Sequence, residues 1–174
     1  MKRTTKLIGL AAVAAFAGIQ FVPVSRANPP ATGEIAAPAE VLSILKRSCY
    51  DCHSNATQWP WYGYVAPVSW LVARDVREGR EELNFSQWES MTPGEKAESA
   101  ENCVEQIARM KMPLPIYLPL HREARITPEQ LKVLRDWAAT FGTKRGGGEE
   151  HHRGERAEGR HREREDDDRD EGEK

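Results

Sequence analysis

The sequence predicts an all-α fold, a small helical domain carried between two dissimilar ends. Three observations predict it. Between Asn28 and Thr143 no run of alternating apolar and polar residues is long enough for a strand. Helix-start signals recur there, above all Thr92-Pro93 with Glu95 and Thr127-Pro128 with Gln130. After those starts, apolar residues return at spacings of three and four, the period of one helix face.

The first element is N-terminal. Lys2, Arg3 and Lys6 precede the apolar run LIGLAAVAAFAGIQFV, Leu7 to Val22. A basic start followed by an apolar stretch is the pattern of an export signal. Ser25 and Ala27 stand at the small-residue positions of a cleavage site, so a cut chain begins at Asn28. The alternative is an uncleaved anchor, short against the roughly 17–25 residues that usually span a bilayer. Its basic end would stay in the cytoplasm.

In "APAEVLSILKRSC", Pro38 suits a first turn, and Val41, Leu42, Leu45 and Cys49 share a side. In "APVSWLVARDVREG", Trp70, Val72, Ala73 and Val76 can face inward and Gly79 is placed to end the helix. "SQWE", Ser86 to Glu89, reads as a capping box opening a short helix. The next helix starts at Thr92 and carries Ala100, Cys103, Val104 and Ile107 on one stripe. The last starts at Thr127, presents Leu131, Leu134, Ala138 and Phe141, and stops at Gly142. The first and last of these domain helices are expected to pack together.

The linkers "QWPWYGYVAP" and "KMPLPIYLPLH" are proline-rich and too apolar for ordinary surface loops. A flat apolar prosthetic group would complete the poor core that short helices and such loops form alone. From Lys144 the chain holds no large apolar residue and reads as a disordered tail of mixed charge. His151, His152 and His161 lie in it, which leaves His53 and His121 as the specific imidazole candidates. The expected organisation is therefore an export signal or anchor over 1–27, a domain over 28–143 and a tail over 144–174. The net charge of −2 hides a basic start and slightly acidic middle and tail. No basic stripe with interleaved aromatics points to nucleic acid.

The chemistry concentrates in "RSCYDCHSN", where Cys49, Cys52 and His53 fall within five residues. A thioredoxin-like redox pair normally follows a strand in a βαβ unit, and none is evident. Structural zinc needs a fourth ligand, usually from a second cluster, and no such cluster exists. An isolated disulfide suits an exported protein but gives His53 no role. C-x-x-C-H is also the attachment motif of a c-type haem. Each thiol adds to one vinyl group, the two-residue gap matches the vinyl separation, and the histidine meets the iron. Such attachment follows export in bacteria, so the N-terminus and the motif support one another. Cys103 is then left without a partner, as a core residue.

Candidates for the other side of the iron are Met91, Met110, Met112 and His121. Met112 begins the stiff apolar "MPLPIY" loop, after the motif and before the last helix, where a small cytochrome brings its distal ligand. His121 competes, with more polar neighbours in Arg122 and Glu123, and would give a lower potential than methionine.

The segments "NPP", "EVLSILKRSCYDCHSNATQWPWYGYVAPVSWLVARDVREGREELNFSQW" and "MPLPIYLPLHREARIT" resemble the bacterial haem-binding domain family of c-type cytochromes, over roughly Asn28 to Phe141. The resemblance implies a small cytochrome c-like helical domain around one covalently bound haem c. It implies that Cys49 and Cys52 carry that haem, with His53 proximal and Met112 distal. His121 also falls in the shared pattern and stays in contention. Trp59, Trp61, Tyr62 and Tyr64 are expected to cover the ring or its propionate edge. The expected function is one-electron transfer between periplasmic or membrane-bound redox partner proteins, with membrane attachment through the N-terminal segment if it is uncleaved. The chain is read as a carrier rather than an enzyme, since no defined reaction comes with the resemblance. The alternative is a haem-based sensor or peroxidase-like enzyme with an open or displaceable distal position.

Overall fold

Prolines set most of the helix starts. The computed structural model describes residues 2–142. Among them lie six α-helices and no strand: α1 Lys2–Ile19, α2 Ala39–Ser48, α3 Tyr50–His53, α4 Val68–Glu82, α5 Pro93–Ala108 and α6 Pro128–Gly142. Short 3₁₀ segments occupy Trp61–Tyr64, Phe85–Ser90 and Arg122–Ala124. Pro38 and Pro67 cap α2 and α4, and Pro93 and Pro128 are the first residues of α5 and α6. Proline has no N–H to lose at these positions, and its fixed φ suits a helix start. Both expected capping boxes form. Thr92 N–H donates to Glu95 at 2.7 Å, and Thr127 N–H donates to the Gln130 side chain at 3.0 Å.

The expected all-α class is the one observed. α5 and α6 make the most extensive helix pair, and α2 packs on α6 as expected. The core is continuous across them: Leu45 from α2, Phe85 and Trp88 from the 3₁₀ segment, Ala100 from α5 and Leu134 from α6 are almost wholly excluded from solvent. Each large side chain buried this way contributes about 1.5–3 kcal/mol. An aromatic ladder ties the layers, running Tyr50–Phe85, Phe85–Trp88, Trp88–Trp137 and Trp137–Phe141 with centroids 5.2–6.0 Å apart. Trp137, absent from the apolar stripe read in α6, is one of its two buried residues.

Three local expectations are corrected. Gly79 does not end α4, which continues to Glu82. "SQWE" forms no capping box: Asn84 caps that 3₁₀ segment, and Ser86 Oγ instead accepts from the Asn55 N–H at 3.0 Å. Trp70 does not face inward. It stays 38 % exposed, while Ser69 and Val76 are the residues of α4 that bury.

The segment after α1 is laid across the domain. Gln20 bonds both backbone groups of Ala66, Arg26 Nε donates to Gly63 at 2.9 Å, and Gly33 and Ile35 donate to the Ser86 and Phe85 carbonyls. α1 itself leaves Leu7, Ile8, Leu10, Val13 and Phe16 exposed. No helix among the described residues is long and apolar enough to cross a membrane. The charged tail expected from Lys144 lies outside the described residues.

Candidate functional site

The spacing C-x-x-C-H becomes geometry at the junction of α2 and α3. Cys49 closes α2, its N–H donating to Leu45 at 2.8 Å, and its carbonyl accepts from both Cys52 and His53, at 3.2 and 2.9 Å. One helical turn therefore holds positions i, i+3 and i+4, which share a face. The two intervening residues diverge from it. Tyr50 enters the core, stacked on Phe85, while Asp51 accepts from Tyr117 Oη at 2.7 Å and from the Gln58 N–H at 3.0 Å.

His53 is fixed by the end of α4. Its Nδ1 lies 3.1 Å from the Leu83 carbonyl, so Nδ1 carries the proton and Nε2 keeps its lone pair for a metal. Burial lowers the pKa of this imidazole, opposed by the Leu83 and Gly79 carbonyls and by Glu82. Gly79 is what lets α4 come this close. A Cβ there would lie 2.8 Å from the Cys52 carbonyl oxygen and 3.2 Å from Cys52 Cβ.

Behind the motif a buried polar network holds the chain. Asn84 Nδ2 donates to Asn55 Oδ1 at 2.9 Å, and Asn55 Nδ2 to the Pro30 carbonyl at 3.2 Å. Arg80 spreads its guanidinium over the Ser54 and Ala27 carbonyls, Asn28 Oδ1 and Thr57 Oγ1, all at 2.8–2.9 Å. Its planar fork suits four acceptors in different directions.

Met112 arrives from α5. Lys111 N–H donates to Gln106 and Met110 N–H to Ile107, both at 2.9 Å, with Met110 left-handed at φ 57°. This is a Schellman turn. It reverses the chain and brings Met112, whose N–H also bonds Gln106 at 3.3 Å, back to the helix.

Cys49, Cys52, His53 and Met112 line one cavity of about 430 Å³. Leu83, Phe85, Ile107, Leu114 and Ile126 give it apolar walls, and Tyr117 and Cys103 also face it. Asp75, Glu78, Glu81 and Glu82 lie on its α4 side. Burial pushes the Cys52 thiol up to about 11, helped by Asp51 and Asp75, and Cys103 up to about 11 by burial alone. Burial, with Cys103 and Cys52 nearby, raises Cys49 well above the ordinary thiol value. A redox-active CxxC needs a depressed thiol pKa, so this environment speaks against the thioredoxin-like reading. Among the described residues no three His, Cys, Asp or Glu gather as a metal site, which gives the zinc reading no ligand set.

The remaining candidates sit elsewhere. His121 is not on the cavity wall. Its Nε2 is 2.8 Å from Tyr62 Oη, its Nδ1 is 3.3 Å from Glu123, and its ring stacks on Tyr117 at 3.9 Å. Both nitrogens are thus engaged within the chain. Met91 packs on the core and Met110 is 82 % exposed. Trp59, Trp61, Tyr62 and Tyr64 do not line the cavity, contrary to expectation; Phe85 and Tyr117 supply its aromatic walls. Cys103 packs against the core as expected but also borders the cavity.

The profile of the haem-binding domain matches residues 14–140. The chain belongs to the haem-binding domain family. The match starts inside α1, earlier than the resemblance at Asn28 suggested, and ends within α6. No curated protein and no solved structure matches the chain significantly. The cavity suits a haem on chemical grounds: two neutral thiols, an imidazole with a free Nε2, a thioether and apolar walls border one space. Ser48 Oγ adds a specific sign. It lies buried at the wall with no hydrogen-bond partner within the chain, and a buried hydroxyl in that state calls for a polar group from an occupant or solvent.

Sequence reading missed the role of Gly79, the Leu83 carbonyl, the Asn84–Asn55 bond, the four bonds of Arg80 and the Asp51–Tyr117 bond. Only Gly79 carried a signal, as a glycine followed by further helix-forming residues.

Proposed function

We propose that this haem-binding domain protein is an exported monohaem c-type cytochrome that carries single electrons between periplasmic or membrane-bound redox partners. In this reading Cys49 and Cys52 hold the haem as thioethers, His53 is the proximal ligand through Nε2, and Met112 is the distal ligand. One observation carries it: these four residues border a single cavity with apolar walls and an acidic α4 side, while His121 has both ring nitrogens engaged away from it.

When bound, the haem supplies the one-electron couple. The chain's own part is positional. The Leu83 carbonyl holds the His53 ring, the α5 turn holds Met112, and the apolar walls exclude water, so little has to move as charge changes. Methionine with histidine sets a higher potential than two histidines would.

Three spectroscopic measurements test the reading. Haem colour should stay on the polypeptide after denaturation, since thioethers survive it. The ferric methionine–iron charge-transfer band should disappear in Met112→Ala and persist in His121→Ala. A high-spin protein that takes up carbon monoxide readily on reduction would overturn the carrier assignment in favour of a sensor or peroxidase-like site.

A further inference from the structure

α1 is apolar on all its sides beyond Lys6, and it is exposed along most of its length: Leu7, Ile8, Leu10, Val13 and Phe16 are 51–68 % exposed. A helix hydrophobic all round belongs inside a protein or in lipid. At its foot lies a second uncovered surface. Trp61 is 76 % exposed, Tyr64 59 %, Val68 42 %, Leu71 41 % and Val65 40 %, and residues 60–71 contain no charged side chain.

The two surfaces are fastened together. The Gln20 side-chain amide accepts from the Ala66 N–H at 2.9 Å and donates to the Ala66 carbonyl at 3.2 Å. Arg26 donates to Gly63 and lies 4.5 Å over the Tyr64 ring. The segment that follows α1, with Phe21 and Val22 exposed, is therefore held against the aromatic shoulder by the Gln20 and Arg26 side chains. Tryptophan and tyrosine favour the membrane–water boundary because their rings are apolar and their tips polar.

We propose that the shoulder formed by Trp61, Tyr64, Val65, Val68 and Leu71 seats in the interface of a lipid bilayer beside α1. The proposal rests on reading α1 as retained and bound to lipid, and does not require α1 to cross the bilayer, for which it is not long and apolar enough. Basic residues ahead of an apolar helix, and an uncharged aromatic shoulder at its foot, favour a lipid occupant over a polar protein partner. Seated this way, the haem cavity is held at one height and orientation above the membrane, where membrane-bound redox partners meet it by lateral diffusion.

The test uses the full, haem-loaded chain with vesicles of phosphatidylcholine and phosphatidylglycerol, read by flotation and by amide hydrogen exchange. With vesicles present, exchange over residues 61–71 should slow by about tenfold as lipid covers the segment. Trp61→Ser with Val65→Ser removes exposed apolar surface only, so the haem spectrum should be unchanged. That variant should stay vesicle-bound through α1 yet lose the protection at 61–71. A chain that floats with unchanged exchange at 61–71 refutes the shoulder and leaves the α1 reading standing. A chain that does not float refutes the α1 reading, and the proposal with it.

Discussion

Replacing Gly79 by alanine sets two effects of opposite sign against each other. In a helix interior alanine is worth about 1 kcal/mol over glycine, so propensity alone predicts a more stable protein. The added Cβ would lie 2.8 Å from the Cys52 carbonyl oxygen and 3.2 Å from Cys52 Cβ. The first of these is backbone, and it belongs to the turn that carries Cys49, Cys52 and His53. No side-chain rotation relieves it. Either α4 retreats, taking the Leu83 carbonyl from His53, or the motif turn moves. Over-packing of this kind costs about 1–3 kcal/mol, which outweighs the propensity gain at most of that range. Gly94→Ala is the control, since the nearest atom to its new Cβ is Thr92 Oγ1 at 4.0 Å. It should stabilise by roughly 0.4–1 kcal/mol by restricting the unfolded chain. Thermal melts of the haem-loaded proteins should therefore move in opposite directions, with Gly79→Ala lower by roughly 4 °C for each kcal/mol lost. A Gly79→Ala protein that melts higher than wild type, by as much as Gly94→Ala does, would refute the argument that close approach at Cys52 requires glycine.

Other substitutions probe the remaining supports. Met110→Gly should raise stability by about 1 kcal/mol in chemical denaturation, because glycine adopts the left-handed φ without a Cβ penalty and exposed Met110 gives up little packing. Arg80→Lys should cost about 1–3 kcal/mol, since one ammonium does not reproduce four divergent hydrogen bonds to Ser54, Ala27, Asn28 and Thr57; an unchanged denaturation midpoint would argue against that clamp. Tyr117→Phe removes the bond to Asp51 while keeping the ring against His121, and should lower the stability of the haem-loaded protein by about 0.5–1.5 kcal/mol in urea denaturation. Cys103 should resist alkylation: with its thiol at about 11 rather than 9.0, its thiolate fraction at pH 8 is about a hundredfold lower, so iodoacetamide should react far more slowly in the native protein than in urea.

The helical class and the two capped helices were legible because caps and apolar spacing are local properties. Thr92, Pro93 and Glu95 carry the whole instruction for the start of α5 within four residues. The motif was legible for a similar reason: i, i+3 and i+4 converge on any helical turn. What escaped sequence reading depends on neighbours far along the chain. Gly79 resembled a terminator because its role is to make room for Cys52, and nothing in its own helix states that. Ser86 was read as a local cap, yet its hydroxyl serves Asn55, and Asn84 takes over the capping. Trp61 and Tyr64 were assigned to the haem because they are aromatic, whereas the domain leaves them outside. His121 and Met112 could not be separated by order alone. The hydrogen bonds of His121 to Tyr62 and Glu123 exist only in three dimensions.

The Schellman turn at the end of α5 has a consequence for how this domain can vary. Met112 is addressed from the helix and not from the loop, since its own N–H and that of Lys111 both bond Gln106. The place of Met112 on the cavity wall is then independent of how long the chain takes to travel from Leu120 to Thr127. Residues inserted there should lengthen the return path while Met112 keeps its place, whereas a single residue inserted between Ile107 and Met112 should displace it. The fold thus separates a ruler, α5, from a spacer.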